Sequence, residues 1–356
     1  MSEQQRSGRV YHRAAKPRKS ASRTFGESAE WSDHQGCEAL YTNKPLDLIR
    51  SLRPWQWVKN LLVCAVPALA FISTARPAFF TRGLLAVSAP LAWTFGMWCL
   101  LSSAAYILND LADARYDRGN PLRKQRPIAA RKVSTGAVGI LLVLCLFGAG
   151  GFLVLLTRCG CQASEALPPL HVGWVPWLAL AYLLIQPLYT FGKRAFPEVG
   201  AALLAAGFVL RALSGAASVG AEISSWFLVC IFLAALFVAL CKRRSAHFVR
   251  SLPQPTAADA RILDLEIGLC AAATLACYAF YVCAPETRQH MGSPYLVWTI
   301  PCVLFGLFRY LRLTYGERRG GNPETAFLCD LPMLLLLLLW AGLFFGLVWM
   351  NSSCAS

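Results

Sequence analysis

The sequence predicts an all-α polytopic membrane protein with nine transmembrane helices, its N-terminus cytoplasmic and its C-terminus outside. Three observations carry this prediction. Of 356 residues, 56% are apolar and only 15% are charged, with a mean hydropathy of +0.47, more apolar surface than a water-soluble core needs. Nine apolar stretches reach or approach spanning length, near 58–75, 84–108, 134–157, 170–190, 199–219, 225–241, 263–284, 293–309 and 331–349. Eighteen Lys/Arg follow the even-numbered stretches and four follow the odd-numbered ones, which turns the even-side loops towards the cytoplasm.

Taken in order, residues 1–45 are polar, basic and without apolar periodicity, and they lack the apolar core of a signal peptide. They read as a disordered cytoplasmic tail preceding a membrane domain over 46–356. Arg53-Pro54-Trp55-Gln56-Trp57-Val58-Lys59-Asn60 then leads into the first span with Trp and Lys suited to the headgroup level. Pro67, Pro90, Pro187 and Pro301 fall inside spans, where neighbouring helices can re-satisfy the freed backbone groups. Most of the fourteen cysteines lie within spans as small apolar fillers, and none shows metal-ligand spacing. Cys159, Cys161, Cys283 and Cys354 lie towards the outer face, where an oxidising compartment permits a disulfide. The net charge of +15 follows from the loop asymmetry and the basic tail, so no nucleic-acid partner is expected.

The stretch that carries chemistry follows the second span: Asn109, Asp110, Asp113, Asp117 and Arg118. At about 100° per helical residue the three carboxylates fall within about 60° of one another. Such clustered anions need a cation, and Mg²⁺ bound through one or two carboxylates usually holds substrate phosphates as well. Arg123, Lys124 and Arg126 follow at once, as a polyanionic substrate requires. Further cytoplasmic cations are Lys59, Lys193 beside Tyr189, and Lys242-Arg243-Arg244. Arg211 lies deep within the fifth span, where an arginine costs at least ~2.5–3.5 kcal/mol and must face the bundle interior or a polar cavity.

These residues resemble the UbiA superfamily of intramembrane prenyltransferases, which have nine transmembrane helices and an NDxxDxxxD motif after the second. Here that motif is Asn109, Asp110, Asp113 and Asp117. Within the superfamily the sequence is most similar to decaprenyl-phosphate phosphoribosyltransferases. The matching pieces are Arg-Pro-Trp-Gln-Trp-Val-Lys-Asn at 53–60, the run at 120–129, Gly-Phe-Val-Leu-Arg-Ala-Leu-Ser-Gly at 207–215 and Lys-Arg-Arg at 242–244. The resemblance implies a UbiA-like bundle in the plasma membrane with a cytoplasmic active site. It also implies transfer of 5-phosphoribose from phosphoribosyl diphosphate (PRPP) to a polyprenyl phosphate, releasing diphosphate, in the synthesis of cell-envelope polysaccharide precursors. Asp110, Asp113 and Asp117 would hold Mg²⁺, with Glu198 a further candidate ligand. Asn109, Arg118, Arg123, Lys124, Arg126, Tyr189, Lys193 and Arg211 would bind substrate phosphates, and Lys59 and Lys242–Arg244 the lipid phosphate. An oligomer is compatible with the sequence.

The sequence departs from the superfamily at the second acidic motif. Prenyl-transferring members carry DxxxD near the start of the fifth span, whereas Glu198 is followed here by Ala201 and Ala202. The phosphoribosyltransferase pattern puts an Asp at the position of Gly200 and a His at that of Asn120. The alternatives are prenyl transfer to an aromatic acceptor in quinone biosynthesis, a homologue using another phospho-sugar, and a transporter or scaffold. A transporter would show internal repeats with broken helices at mid-membrane, and the sequence has no clear repeat. A prenyl diphosphate presents one diphosphate, whereas PRPP and a lipid phosphate add two more phosphates; one carboxylate motif among several basic clusters suits the latter.

Overall fold

Long apolar stretches leave their backbone groups no partner but each other, and every one of them forms a helix. The computed structural model describes residues 44–73, 77–120, 123–162, 171–246, 256–291, 293–316 and 323–354, and among these there is no strand. A short helix α1 (Pro45–Leu52) precedes α2 (Leu62–Ser73), α3 (Pro77–Gly119), α4 (Thr135–Gln162), α5 (Val175–Gly192) and α6 (Pro197–Val219). Then follow α7 (Ser225–Ala246), α8 (Ala257–Cys283), α9 (Pro285–Met291), α10 (Ile300–Tyr315), α11 (Pro323–Cys329) and α12 (Leu331–Cys354). The tail up to residue 43 lies outside the described residues.

Eight helical segments among the described residues are long and apolar enough to cross a membrane, and they coincide with the second to ninth expected spans. The first expected span is a 3₁₀ segment at Pro54–Leu61 followed by the twelve-residue α2. Several helices outrun their apolar stretch. α3 continues eleven residues beyond the expected end of its span to Gly119 and carries the acidic motif on its last turns. α7 extends to Ala246, so Lys242, Arg243 and Arg244 lie near its C-terminus, where cations meet the negative end of the helix dipole.

Burial ranks the helices. Within the apolar windows of α3 and α6, 56% and 50% of residues are buried, against 17% for α4, α7 and α12. α3 and α6 are therefore interior, while α4 turns Ile140, Leu144 and Phe147 outwards, as lipid contact requires. α6 achieves its central position with small residues: Gly200, Ala201, Ala205, Gly207, Ala212, Ser214, Gly215, Ala216 and Ser218 are all buried, and small side chains let membrane helices approach closely. The closest approach is at Gly215, where a Cβ would lie 1.9 Å from the Val63 carbonyl oxygen of α2. Gly220, at φ 68°, ends α6 in the left-handed region.

The cysteines of the described spans are free. Cys283 is also free and exposed, and the side chains of Cys159, Cys161 and Cys354 lie outside the described residues.

Candidate active site

The C-terminal end of α3 meets three segments that bring cations to it. The first is the junction between α1 and the 3₁₀ segment. Arg53 sits there at φ 53°, ψ 54°, a left-handed conformation that costs a non-glycine residue about 1–2 kcal/mol. The turn aims Arg53 Nη2 at both carboxylate oxygens of Asp110, each at 2.6 Å. The second is the turn after α3. The amides of Arg123 and Lys124 donate to the Asn120 carbonyl, and that of Arg126 to the Arg123 carbonyl, so the chain folds back over the helix end. Arg126 Nη1 then donates to Asp110 Oδ1 at 3.0 Å and to Asp117 Oδ2 at 2.6 Å. The third is the link between α5 and α6. Lys193 Nζ donates to Asp113 Oδ2 at 2.6 Å and to the Asn109 side-chain oxygen, and Arg194 Nη2 donates to Asp113 Oδ1 at 2.6 Å. Gly200 packs closely against this link: a Cβ there would lie 3.1 Å from Cα and Cβ of Lys193, so a side chain at that position would need the link to give by a few tenths of an ångström.

All three aspartates are at most 3% exposed. Buried carboxylates of one sign at this spacing are tolerable only because the arginines and lysine compensate them. Burial lowers the proton affinity of Lys193 below the ordinary lysine range, against the opposing pull of Asp113.

The residues fit a hard divalent cation at Asp110 and Asp117. One cationic nitrogen already lies between these two carboxylates. Asp117 Oδ1 is buried without a hydrogen-bond partner, although Arg123 Nη1 approaches to 3.6 Å. Asp113 is engaged by Lys193 and Arg194, as Asp110 is by Arg53 and Arg126, and among the described residues no three Asp, Glu, His or Cys side chains converge on one point. The donor set is thus the one or two carboxylates with which Mg²⁺ is commonly held together with substrate phosphates.

Below the aspartates lies a cavity of ≈ 180 Å³. Seven cationic residues line it, Arg53, Lys59, Arg123, Arg126, Lys193, Arg211 and Lys242, against one acid, Asp113. Asn109 and Tyr189 line it as expected, and Tyr106, Tyr182, Leu203, Leu204 and Phe208 supply an aromatic and apolar wall. At its inner end Arg211 is 5% exposed. Its Nε donates to Asn60 at 2.9 Å, Nη1 to the Gly207 carbonyl at 2.8 Å and Nη2 to the Tyr182 hydroxyl at 3.2 Å.

Four of the expected phosphate ligands lie elsewhere. Arg118 and Lys124 are exposed and do not line the cavity, Arg118 because one further residue of helix rotates it about 100° from Asp117. The same rotation separates the basic run of α7. Only Lys242 reaches the cavity; Arg243 pairs with Glu198 at 2.8 Å, and Arg244 binds Asp264 at 2.6 and 3.2 Å. Glu198 is exposed, its side chain engaged by Arg243, and it does not line the cavity. Conversely, sequence reasoning missed Arg53, Arg194, Asn60 and Tyr182 as site residues. Arg53 and Asn60 stand in the same 53–60 segment as Lys59, Trp55 and Trp57.

Residues 61–331 match the UbiA prenyltransferase family. A decaprenyl-phosphate phosphoribosyltransferase of Corynebacterium glutamicum is 30% identical over 307 residues, covering 82% of this chain and 84% of its own. A 4-hydroxybenzoate octaprenyltransferase of Acidovorax ebreus is 36% identical over 154 residues, 42% of this chain and 43% of its own. Among solved structures, a UbiA homologue from Archaeoglobus fulgidus bound to GPP and Mg²⁺ superposes with a TM-score of 0.55 at 18% identity, covering 86% of this chain and 99% of its own. That last likeness concerns the fold.

Proposed function

This chain belongs to the UbiA prenyltransferase family, and from that premise we propose that it transfers 5-phosphoribose from PRPP to a polyprenyl phosphate at the cytoplasmic face of the plasma membrane, releasing diphosphate. The observation that carries this reading is the charge inventory of the site: seven cations line the cavity, and four of them pair with Asp110, Asp113 and Asp117. PRPP and a lipid phosphate together bring a diphosphate and two monoester phosphates. The similarity to the corynebacterial phosphoribosyltransferase over most of both chains supports the same reading.

In the reaction, the bond from ribose C1 to the diphosphate oxygen breaks and a bond from C1 to a lipid phosphate oxygen forms. Positive charge builds on the sugar and negative charge on the departing diphosphate. Arg123, Arg126 and Lys193 line the part of the cavity nearest the aspartates and bind the departing anion through charge-assisted hydrogen bonds. Asp110 and Asp117 would hold Mg²⁺, which would supply a Lewis acid for the departing diphosphate. Lys59 and Lys242 face the same cavity and hold the incoming lipid phosphate. That phosphate is already an anion at neutral pH, so positioning rather than a strong base activates it. Leu203, Leu204 and Phe208 give the first isoprene units an apolar wall. The product is a lipid-linked phosphoribose suited to cell-envelope polysaccharide synthesis.

A second reading, prenyl transfer to an aromatic acceptor, draws support from the similarity of 154 residues to the octaprenyltransferase. A thermal-stability panel separates the two, since a ligand that binds only the folded protein raises its melting temperature. With Mg²⁺ present, PRPP should stabilise the purified protein more than geranyl diphosphate or 4-hydroxybenzoate does. Stabilisation by the prenyl diphosphate and not by PRPP would reverse the ranking.

A further inference from the structure

Arg211 is a buried cation whose hydrogen-bond partners among the described residues are all neutral: the Asn60 amide oxygen, the Gly207 carbonyl and the Tyr182 hydroxyl. A guanidinium has five N–H donors; three are used, and Arg211 is among the residues that line the cavity. Three aromatic rings, Trp98, Tyr182 and Phe208, lie with centroids 5.1–5.4 Å from the guanidinium carbon; they soften the charge but do not cancel it. Asn60 fixes its orientation. It is 1% exposed, and while its oxygen accepts from Arg211, its nitrogen donates to Ser102 Oγ at 3.1 Å and Cys99 Sγ at 3.4 Å. The amide is thereby held from α3 and cannot rotate without losing those bonds.

This network shares no member with the one around the aspartates, which consists of Arg53, Arg123, Arg126, Lys193 and Arg194. We infer that the Arg211 end of the cavity, with Asn60 as its positioning residue, is a metal-free binding site for a phosphate monoester, distinct from the carboxylate site that takes the diphosphate. The inference rests on the phosphoribosyl-transfer reading and deepens it. A diphosphate with its metal suits the carboxylates, whereas one guanidinium fork in an apolar surround matches a single phosphate group. Two sources offer that chemistry, the polyprenyl phosphate and the 5-phosphate of the ribose donor.

The test measures binding to the full chain in detergent or nanodiscs with three probes: farnesyl phosphate, ribose 5-phosphate, and pyrophosphate with Mg²⁺. Arg211→Gln should weaken at least one monoester tenfold or more and leave Mg²⁺–pyrophosphate within twofold; whichever monoester responds identifies the source. Asn60→Asp gives the guanidinium a carboxylate of its own, so the folded variant should lose the same monoester binding. Should Arg211→Gln not fold, Asn60→Asp decides. Unchanged monoester affinity in the folded variants overturns the inference and leaves the reaction standing, as does an equal loss for Mg²⁺–pyrophosphate. Arg211-dependent monoester binding in a protein that makes no phosphoribosylated lipid supports the site and overturns the reaction. A wild type that binds neither monoester overturns both.

Discussion

Replacing Gly215 by alanine puts a methyl group where the backbone of α2 already lies. The added Cβ would stand 1.9 Å from the Val63 carbonyl oxygen and 2.7 Å from its carbon. Ordinary contact begins at about 3.4 Å, so α2 and α6 must part by roughly 1.5 Å, because backbone cannot swing aside as a side chain can. The alanine gains about 1 kcal/mol of helix propensity over glycine, against overpacking costs of about 1–3 kcal/mol or more, so the net effect is destabilising. The larger consequence is functional. Asn60 lies three residues before Val63, and Arg211 four residues before Gly215, so the displacement passes through the Arg211–Asn60 hydrogen bond of 2.9 Å. A misplacement near 1 Å costs on the order of 10²-fold in rate. The assay pairs the melting temperature of the purified protein with initial rates of lipid phosphoribosylation. Gly151→Ala in α4 is the control, since nothing lies within 4 Å of its Cβ. If Gly215→Ala matched Gly151→Ala in both measurements, the close approach of α2 and α6 would not position the site.

Asp110→Asn and Asp117→Asn should each reduce turnover at least 10²-fold while the protein remains folded, and each should weaken Mg²⁺-dependent pyrophosphate binding; unchanged Mg²⁺ dependence in both would remove the metal assignment. Lys242→Met should lower turnover more than tenfold and Arg243→Gln less than threefold, because only the former side chain faces the cavity; steady-state kinetics of the two variants checks this, and the reverse order contradicts it. Arg309→Gln breaks the pair of 2.9 and 2.5 Å hydrogen bonds to Asp330, which also receives the Met333 amide at the start of α12. It should lower the melting temperature and leave Mg²⁺–pyrophosphate affinity unchanged, as titration of the variant would show.

Hydropathy made most of the architecture legible, because a bilayer gives apolar stretches little choice but to become helices. The acidic motif was equally legible, since Asp110, Asp113 and Asp117 share a face at helical spacing wherever the helix goes. What could not be read is where each cation points. Lys242, Arg243 and Arg244 are neighbours in sequence, yet they diverge to the cavity, to Glu198 and to Asp264, and charge counting treats the three alike. Arg53 was hidden differently: its left-handed backbone conformation, not its place in a basic segment, directs it to Asp110. Gly200 shows a third limit. Its departure from the family's aspartate reads as a lost ligand in sequence and as close packing against Lys193 in the fold.

The reaction itself is tested most directly by product analysis with both donors present. Purified protein, Mg²⁺, PRPP, geranyl diphosphate, a polyprenyl phosphate and 4-hydroxybenzoate are incubated together and the lipids analysed by mass spectrometry. Phosphoribosyl transfer predicts a polyprenyl phosphate heavier by one phosphoribosyl group, with stoichiometric diphosphate. A prenylated hydroxybenzoate with no phosphoribosylated lipid would contradict it.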